Sequence, residues 1–245
     1  MSAASLPDRL GRWITRGSPL REALLAWGLG FGAIVAAFVV YRPAAKVVAT
    51  LGFLYLPRLA MDVRDEDHAA YGLSLRAWRA DLGWFLLLSA LVTPLYVGGF
   101  VLFQQALAHL PPALSVHLSP HAGLPPFQFR LPDRFPEWVV DQALVVALPE
   151  EFFYRGYLQS RLRAAWPEGR RFLGVQWGRA FWVAAALFAL GHLAIFQFWR
   201  LGVFFPALLF GWLRERTGTV VGAAAFHAYC NLLALVLQAS FFGSP

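Results

Sequence analysis

The chain has 245 residues, of which 58% are hydrophobic and only 14% are charged. Soluble domains carry about 25% charged residues, so a chain this poor in charge cannot cover a surface that faces water. The composition excludes a soluble enzyme and predicts an integral membrane protein. The formal net charge of +7 comes from arginines scattered among short connections, which argues against a nucleic-acid partner.

The amino-terminal segment 1–22 mixes arginines with apolar residues, and we predict that it is amphipathic and lies on the cytoplasmic surface. The apolar run 23–41 follows it. This run is long enough to cross a membrane and lacks a clear small-residue cleavage site. It is therefore predicted to be an uncleaved first span rather than a signal peptide.

Apolar runs long enough to cross the hydrocarbon core recur along the chain. They predict an all-α, polytopic transmembrane helical bundle of about seven spans, which forms a single integral membrane domain over residues 1–245. The predicted spans are 23–41, 45–60, 82–105, 138–160, 180–199, 201–213 and 219–242. The boundaries of the short spans 45–60 and 201–213 stay open at this point.

Positive charge alternates between the predicted connections. Fifteen arginines precede the first span or lie in or at the boundary of every second connection after it, whereas five basic residues lie in or at the boundary of the opposite connections. By the positive-inside rule, the amino terminus is cytoplasmic and the carboxy terminus is outside. We therefore expect a multi-pass protein of the cell (inner) membrane. Twenty arginines against one lysine are typical of a GC-rich bacterial genome.

The longest connection, 106–137, is predicted to be extracytoplasmic and is rich in proline. It carries His109, His117 and His121, but their spacing does not match a ligand pair on one helical turn, and no cysteine accompanies them. The single cysteine, Cys230, falls in the last span and cannot form an intrachain disulfide. We interpret the histidines as loop residues and the cysteine as a packing residue.

Ionisable side chains inside a span cost about 2.5–3.5 kcal/mol each, so those in the fourth span require an explanation. They are Glu150, Glu151 and Arg155. Glu151 and Arg155 are spaced i and i+4, so Arg155 can neutralise Glu151, and the two can equally be a structural ion pair. Glu150 projects about 100° away from Glu151 and is free to face another partner.

Further polar side chains lie in the fifth and seventh spans. His192 belongs to the fifth span, one turn after Phe188, and His227 and Asn231 lie one turn apart in the seventh. Counted from the cytoplasmic boundaries, Glu150, His192 and Asn231 lie at similar depths of roughly 15–18 Å. We therefore predict that side chains from three helices converge on one intramembrane cavity.

This set of side chains predicts hydrolysis of an amide bond without a covalent intermediate. Glu150 beside a histidine can take a proton from water, and a second histidine with an asparagine can donate hydrogen bonds to the resulting oxyanion. The sequence contains no Gly-x-Ser-x-Gly motif and no membrane serine–histidine pair. Nucleophilic catalysis therefore has little support.

The ordered motifs resemble those of the CPBP family, the CAAX-protease and bacteriocin-processing intramembrane proteases. The motifs are Glu150-Glu151-x-x-x-Arg155, Phe188-x-x-x-His192 and His227-x-x-x-Asn231. The resemblance covers residues 138–242. The run 149–157 is similar to the myxosortase branch of this family, for which cleavage of carboxy-terminal sorting segments is proposed.

The resemblance implies a protein-processing intramembrane endopeptidase with a cavity that is reached from the bilayer or the cytoplasm. In the family's pattern, the first glutamate and the histidine of the second motif activate water, and the last motif forms the oxyanion site. The implied catalytic residues are Glu150, His192, His227 and Asn231. The implied supporting residues are Glu151, Arg155 and Phe188. The expected partners are the lipid bilayer and a peptide or protein segment presented at the membrane.

Two alternatives stay open beside this interpretation. The first concerns metal dependence, and a glutamate mechanism without metal or cofactor is favoured over a zinc site. The chain lacks His-Glu-x-x-His, and asparagine is a poor zinc ligand. The alternative function is a non-catalytic membrane binding or immunity protein that uses the same cavity. A transporter would require an inverted repeat, and none is visible.

Overall fold

The computed structural model describes residues 5–119, 121 and 123–243. Residues 1–4 of the predicted amphipathic segment lie outside the described residues. So do Pro120 and Ala122 of the connection 106–137, and residues 244–245 at the carboxy terminus.

Helices make up most of the described chain, which confirms the predicted all-α fold. The helices are α1 (Leu6–Thr15), α2 (Pro19–Val40), α3 (Ala44–Arg64), α4 (Trp78–Ala108), α5 (Pro112–Leu118), α6 (residues 135–165), α7 (Arg179–Gly191), α8 (Phe204–Thr217) and α9 (Val221–Phe242). Short 3₁₀ turns cover His68–Tyr71, His192–Ile195 and Phe198–Val203. A small antiparallel hairpin of β1 (Arg170–Phe172) and β2 (Val175–Trp177) was not predicted.

Four helices among the described residues are long and apolar enough to cross a membrane, namely α2, α3, α4 and α9. They correspond to the predicted spans 23–41, 45–60, 82–105 and 219–242, and they make the protein a membrane protein. The count of seven spans stays a prediction.

The remaining predicted spans correspond to helices whose bounds differ from the prediction. The span 138–160 lies inside α6. The span 180–199 is helical only as far as Ile195, because the backbone turns at Phe196, whose φ is +57°. Helix α8 covers Phe204–Thr217 rather than 201–213.

Helix α6 is irregular around its two adjacent glutamates. Its turns Asp141–Ala147 and Phe152–Leu158 are π-helical, and Leu148–Glu151 between them is α-helical. Because the pair lies in this α-helical turn, Glu150 and Glu151 keep the separation of about 100° that an ordinary helix gives. Wide turns of this kind occur frequently at functional sites.

Pro149 gives a physical reason for the first wide turn. Proline has no N–H to donate along the helix, and its ring crowds the carbonyl group of the preceding turn. The carbonyl group of Val145, four residues earlier, accepts a hydrogen bond of 2.9 Å from the Thr50 hydroxyl of α3. A side chain of the neighbouring helix therefore compensates for the proline and joins α3 to α6.

At the end of the second wide turn and just beyond it, a buried polar network fixes α6 to α2 and α3. The Tyr157 hydroxyl donates to Glu22 at 2.7 Å, and Glu22 is only 1% exposed. Glu22 also pairs with Arg64 and, at 3.3 Å, with Arg161. Because every charge in this network has an opposite charge beside it, the end of α6 is anchored without an unpaired buried ion.

Gly156 allows α6 to approach the turn that follows α3. A Cβ atom at this position would lie 2.6 Å from the carbonyl oxygen of Tyr71. Because the obstructing atom belongs to the backbone, a larger residue at position 156 must push two elements apart.

We expect Gly156→Ala to lower the free energy of unfolding by about 1–3 kcal/mol, because the added methyl group has no space. Gly83→Ala on α4 is the matched control, since a Cβ atom there meets nothing within 4 Å. Alanine also favours the helix at that position. Thermal unfolding in detergent micelles measures both variants, and an unchanged midpoint for Gly156→Ala would contradict the close contact.

Candidate active site

A cavity of about 620 Å³ lies between the helices. Phe188 belongs to its lining, and so do all four side chains predicted to be catalytic, which are Glu150, His192, His227 and Asn231. Glu151 and Arg155 lie behind this lining and are 0% and 1% exposed. The structure thus brings together residues of α6, α7 and α9 that are far apart in the sequence.

Glu151 joins two helices through its carboxylate. One oxygen pairs with the Arg155 Nε at 3.1 Å, as the i, i+4 spacing predicts. The other oxygen accepts a hydrogen bond of 2.9 Å from Nδ1 of His227 on α9, a contact that the sequence did not reveal. An ionised carboxylate only accepts hydrogen bonds, so Nδ1 carries the proton, and Nε2 of His227 faces away from Glu151.

Phe188 packs between the charged and the imidazole side chains. Its ring lies 4.8 Å below the Arg155 guanidinium, whose two terminal nitrogens have no hydrogen-bond partner among the described residues. The ring centroid lies 4.7 Å from His192 and 5.8 Å from His227. Phe188 therefore stabilises the buried cation through its π face and packs against both histidines.

A backbone contact fixes the orientation of His192. Helix α7 ends at Gly191, and the Nδ1 atom of His192 lies 2.9 Å from the carbonyl oxygen of Phe188. A carbonyl oxygen can only accept, so Nδ1 is the donor, and Nε2 of the neutral ring is left with a lone pair. The His192 ring is therefore arranged to accept a proton at Nε2.

Glu150 differs from Glu151 in having no partner of its own. Its Oε2 atom is buried and has no hydrogen-bond partner among the described residues. Nε2 of His227 lies 4.0 Å from this oxygen, which exceeds the range of a hydrogen bond. A buried carboxylate oxygen in this state is available to a polar group that enters the cavity.

Asn231 has a partner that the sequence interpretation missed. Its Nδ2 group donates at 2.9 Å to Oε1 of Gln142, which lies in the first wide turn of α6 and also lines the cavity. An amide nitrogen carries two hydrogens, so one is engaged by Gln142 and the other is free. The sequence feature that could have indicated this contact is the position of Gln142, a polar residue inside the predicted span 138–160.

Tyr154 is a second lining residue that the sequence interpretation missed. It stands one helical turn after Glu150, so both side chains project from the same face of α6. Its ring packs edge-on against Phe188 at 5.0 Å between centroids. The i, i+4 spacing from Glu150 was the signal that could have pointed to it.

The cavity does not fit a zinc ion. Zinc requires several ligands at about 2.0–2.3 Å, and no group of three or more His, Cys, Asp or Glu side chains in the described ranges could hold a metal ion. The Nδ1 atom of His227 is already engaged by Glu151. The residues His109, His117 and His121 do not line the cavity.

Residues 134–233 match a family model described as "Rce1-like: Type II CAAX prenyl endopeptidase Rce1-like". This segment is Rce1-like. The Rce1-like segment contains all seven residues of the predicted motifs and confirms the resemblance to the CPBP family. The description of the matched model names an endopeptidase, and this is what the segment is similar to, while the myxosortase branch stays a prediction. No curated protein and no solved structure matched the chain.

Proposed function

We propose that the protein is an intramembrane endopeptidase that hydrolyses a peptide bond in a membrane-presented protein. The observation that carries this proposal is the buried, unpartnered Oε2 atom of Glu150, which lies in the same cavity as His192. A carboxylate oxygen without a hydrogen-bond partner, in one cavity with an imidazole that has a free lone pair, is suited to general-base catalysis.

The first step is attack by a water molecule. The water oxygen bonds to the carbonyl carbon of the substrate, and its proton passes to Glu150, with Nε2 of His192 as the second acceptor that orients the water. The electron pair of the carbonyl π bond moves to oxygen and gives a tetrahedral oxyanion. Collapse of this intermediate breaks the C–N bond, and the proton held by Glu150 passes to the leaving nitrogen, so protons and electrons balance.

His227 and Asn231 are proposed to donate hydrogen bonds to the oxyanion. They project from one face of α9, one turn apart, and Asn231 retains one free amide hydrogen. Because Nδ1 of His227 already donates to Glu151, donation from Nε2 as well requires a second proton on the ring. Preorganised donors in a cavity shielded from water stabilise such a charge effectively.

Glu151, Arg155 and Phe188 are proposed to support the site and to have no contact with the substrate. Glu151 orients His227, Arg155 balances the charge of Glu151, and Phe188 packs on the guanidinium and both imidazoles. The proposed mechanism needs no cofactor.

We expect Glu150→Gln to abolish cleavage while leaving the fold intact, because the amide keeps the shape of the carboxylate but cannot accept the proton of water. The measurement compares new protein termini by mass spectrometry in membranes that contain equal amounts of wild type or variant. Glu137→Gln is the matched control, since Glu137 is exposed and pairs with Arg134 at the other end of α6. Identical termini for wild type and Glu150→Gln would favour the non-catalytic binding protein.

The cavity also has a defined end at which it opens. Its lining includes the last part of α2, the first part of α3, residues 142–154 of α6, the end of α7, the first half of α8 and residues 227–238 of α9. The exposed residues Arg42, Lys46 and Arg200 belong to the lining, so the cavity opens where α2 ends and α3 begins.

We propose that this opening is extracytoplasmic in the cell (inner) membrane. The positive-inside rule places the amino terminus in the cytoplasm, and therefore the junction between α2 and α3 outside. This proposal differs from the expectation that the cavity is reached from the bilayer or the cytoplasm. A substrate segment would then be presented at the outer face.

We expect a membrane-impermeant maleimide to label Arg134→Cys in intact cells and Arg170→Cys only after the cells are opened. Both substitutions are made in a Cys230→Ser chain, and Arg134 and Arg170 are both exposed. Because α6 contains the predicted span 138–160, we expect the two positions before and after it to lie on opposite sides of the membrane. The reverse labelling pattern would place the cavity opening in the cytoplasm.

A further inference from the structure

A series of polar contacts joins α3 and α6 to the Asn231 side chain of α9. Lys46, near the start of α3, pairs with Oδ1 of Asp141. The other carboxylate oxygen of Asp141 accepts a hydrogen bond of 3.2 Å from Nε2 of Gln142. Oε1 of Gln142 accepts in turn from Nδ2 of Asn231 at 2.9 Å. Four side chains of three helices are therefore connected in one series.

The carboxylate of Asp141 fixes the direction of the hydrogen bonds in this series. An ionised carboxylate only accepts hydrogen bonds, so Gln142 must turn its NH2 group toward Asp141. The atom that Gln142 offers to Asn231 is then its carbonyl oxygen, which also only accepts, so Asn231 must be the donor. A reversed Gln142 amide would place its oxygen against the carboxylate, and two acceptors repel each other. Only one orientation of each amide satisfies all the contacts.

Helix α3 holds the Asp141 carboxylate in place. Besides the ion pair between Lys46 and Asp141, the Thr50 hydroxyl donates to the carbonyl group of Val145. Thr50 lies one turn after Lys46, so two contacts one turn apart attach the first wide turn of α6 to α3. The side chain of Lys46 is 50% exposed, and an ion pair so open to solvent contributes little to stability. Its effect is to orient Asp141.

The orientation of the Asn231 amide decides which of its atoms meets the substrate. In the observed orientation, the NH2 group donates to Gln142 and retains a second hydrogen. A reversed amide would put the carbonyl oxygen in the place of the NH2 group, and an oxygen repels an oxyanion. Hydrogen-bond donors stabilise a developing charge most effectively when their orientation is fixed beforehand.

We propose that Gln142 is a positioning residue, which holds the Asn231 amide with its NH2 group ready to donate to the oxyanion. Asp141 and Lys46 set the orientation of Gln142. The proposal rests on the proposed peptidase function, and the role of these three residues is to act through Asn231.

The first test observes the Asn231 amide directly by NMR. Asn231 is the only asparagine of the chain, so nitrogen-15 in the asparagine side chain of the full-length protein gives one pair of amide proton signals. We expect one proton of the pair to be shifted downfield by its hydrogen bond, and this shift to be lost in Gln142→Met. Gln238→Met is the matched control, because Gln238 lines the same cavity two turns after Asn231 and has no hydrogen bond to it.

A second pair of variants tests the action of Asp141 through Gln142. Asp141→Ala should also reduce the downfield shift, although the Asn231 amide bonds to Gln142 and not to Asp141. Asp133→Ala is the matched control, since Asp133 is exposed and does not line the cavity. Asp141→Asn combined with Gln142→Glu should restore the shift, because an amide at position 141 can donate to a carboxylate at position 142, which still only accepts from Asn231.

Cleavage is measured in the same variants, as the new protein termini that depend on Glu150. At equal abundance we expect Gln142→Met to form at least about tenfold fewer of these termini than wild type, because a misoriented donor stabilises the oxyanion less. The double variant of positions 141 and 142 should recover them.

Two results would overturn the positioning role of Gln142. One is an unchanged Asn231 signal in Gln142→Met and Asp141→Ala, which would mean that the two residues do not orient the amide. The other is undiminished cleavage by Gln142→Met. If wild type forms no termini that depend on Glu150, the peptidase function itself is overturned, and the NMR spectra distinguish that failure from a failure of the positioning series.

Discussion

The site depends on a buried carboxylate that has two partners. Glu151 is completely buried, and it pairs with Arg155 one turn further along α6 and with His227 of α9. Removing one partner of a buried ion pair costs about 3–5 kcal/mol, because the remaining charge has no compensation. The contacts of Glu151 therefore fix the position of α9 relative to α6. In that position, Nε2 of His227 lies 4.0 Å from the Glu150 carboxylate.

Two adjacent glutamates consequently have different environments. Both carboxylate oxygens of Glu151 have a partner inside the protein. Glu150 lines the cavity, and one of its oxygens is buried without a hydrogen-bond partner among the described residues. A separation of about 100° around the helix is sufficient to produce this division. Pairs of ionisable groups whose surroundings differ in this way are typical of acid and base catalysis. This difference supports the proposal that Glu151 holds the site together and that Glu150 takes part in the chemistry.

The sequence predicted the long helices, the pairing of Glu151 with Arg155 and the grouping of the motif side chains, because these depend on apolar length and on helical periodicity. It did not predict the wide turns around Pro149, the bond from His227 to Glu151 or the bond from Asn231 to Gln142. These features depend on how neighbouring helices pack, since Thr50 of α3 must satisfy the backbone near Pro149. Helical spacing within one segment carries no information about such contacts.

Nitrogen-15 NMR of labelled histidine in the full-length protein tests the site most directly, because it reports which ring nitrogen carries the proton. His192→Gln and His227→Gln variants assign the two signals. We expect Nδ1 of both residues to be protonated at neutral pH and Nε2 of His192 to be unprotonated. An unprotonated Nδ1 in His227, or a proton on Nε2 of His192, would contradict the proposed orientation of the two side chains.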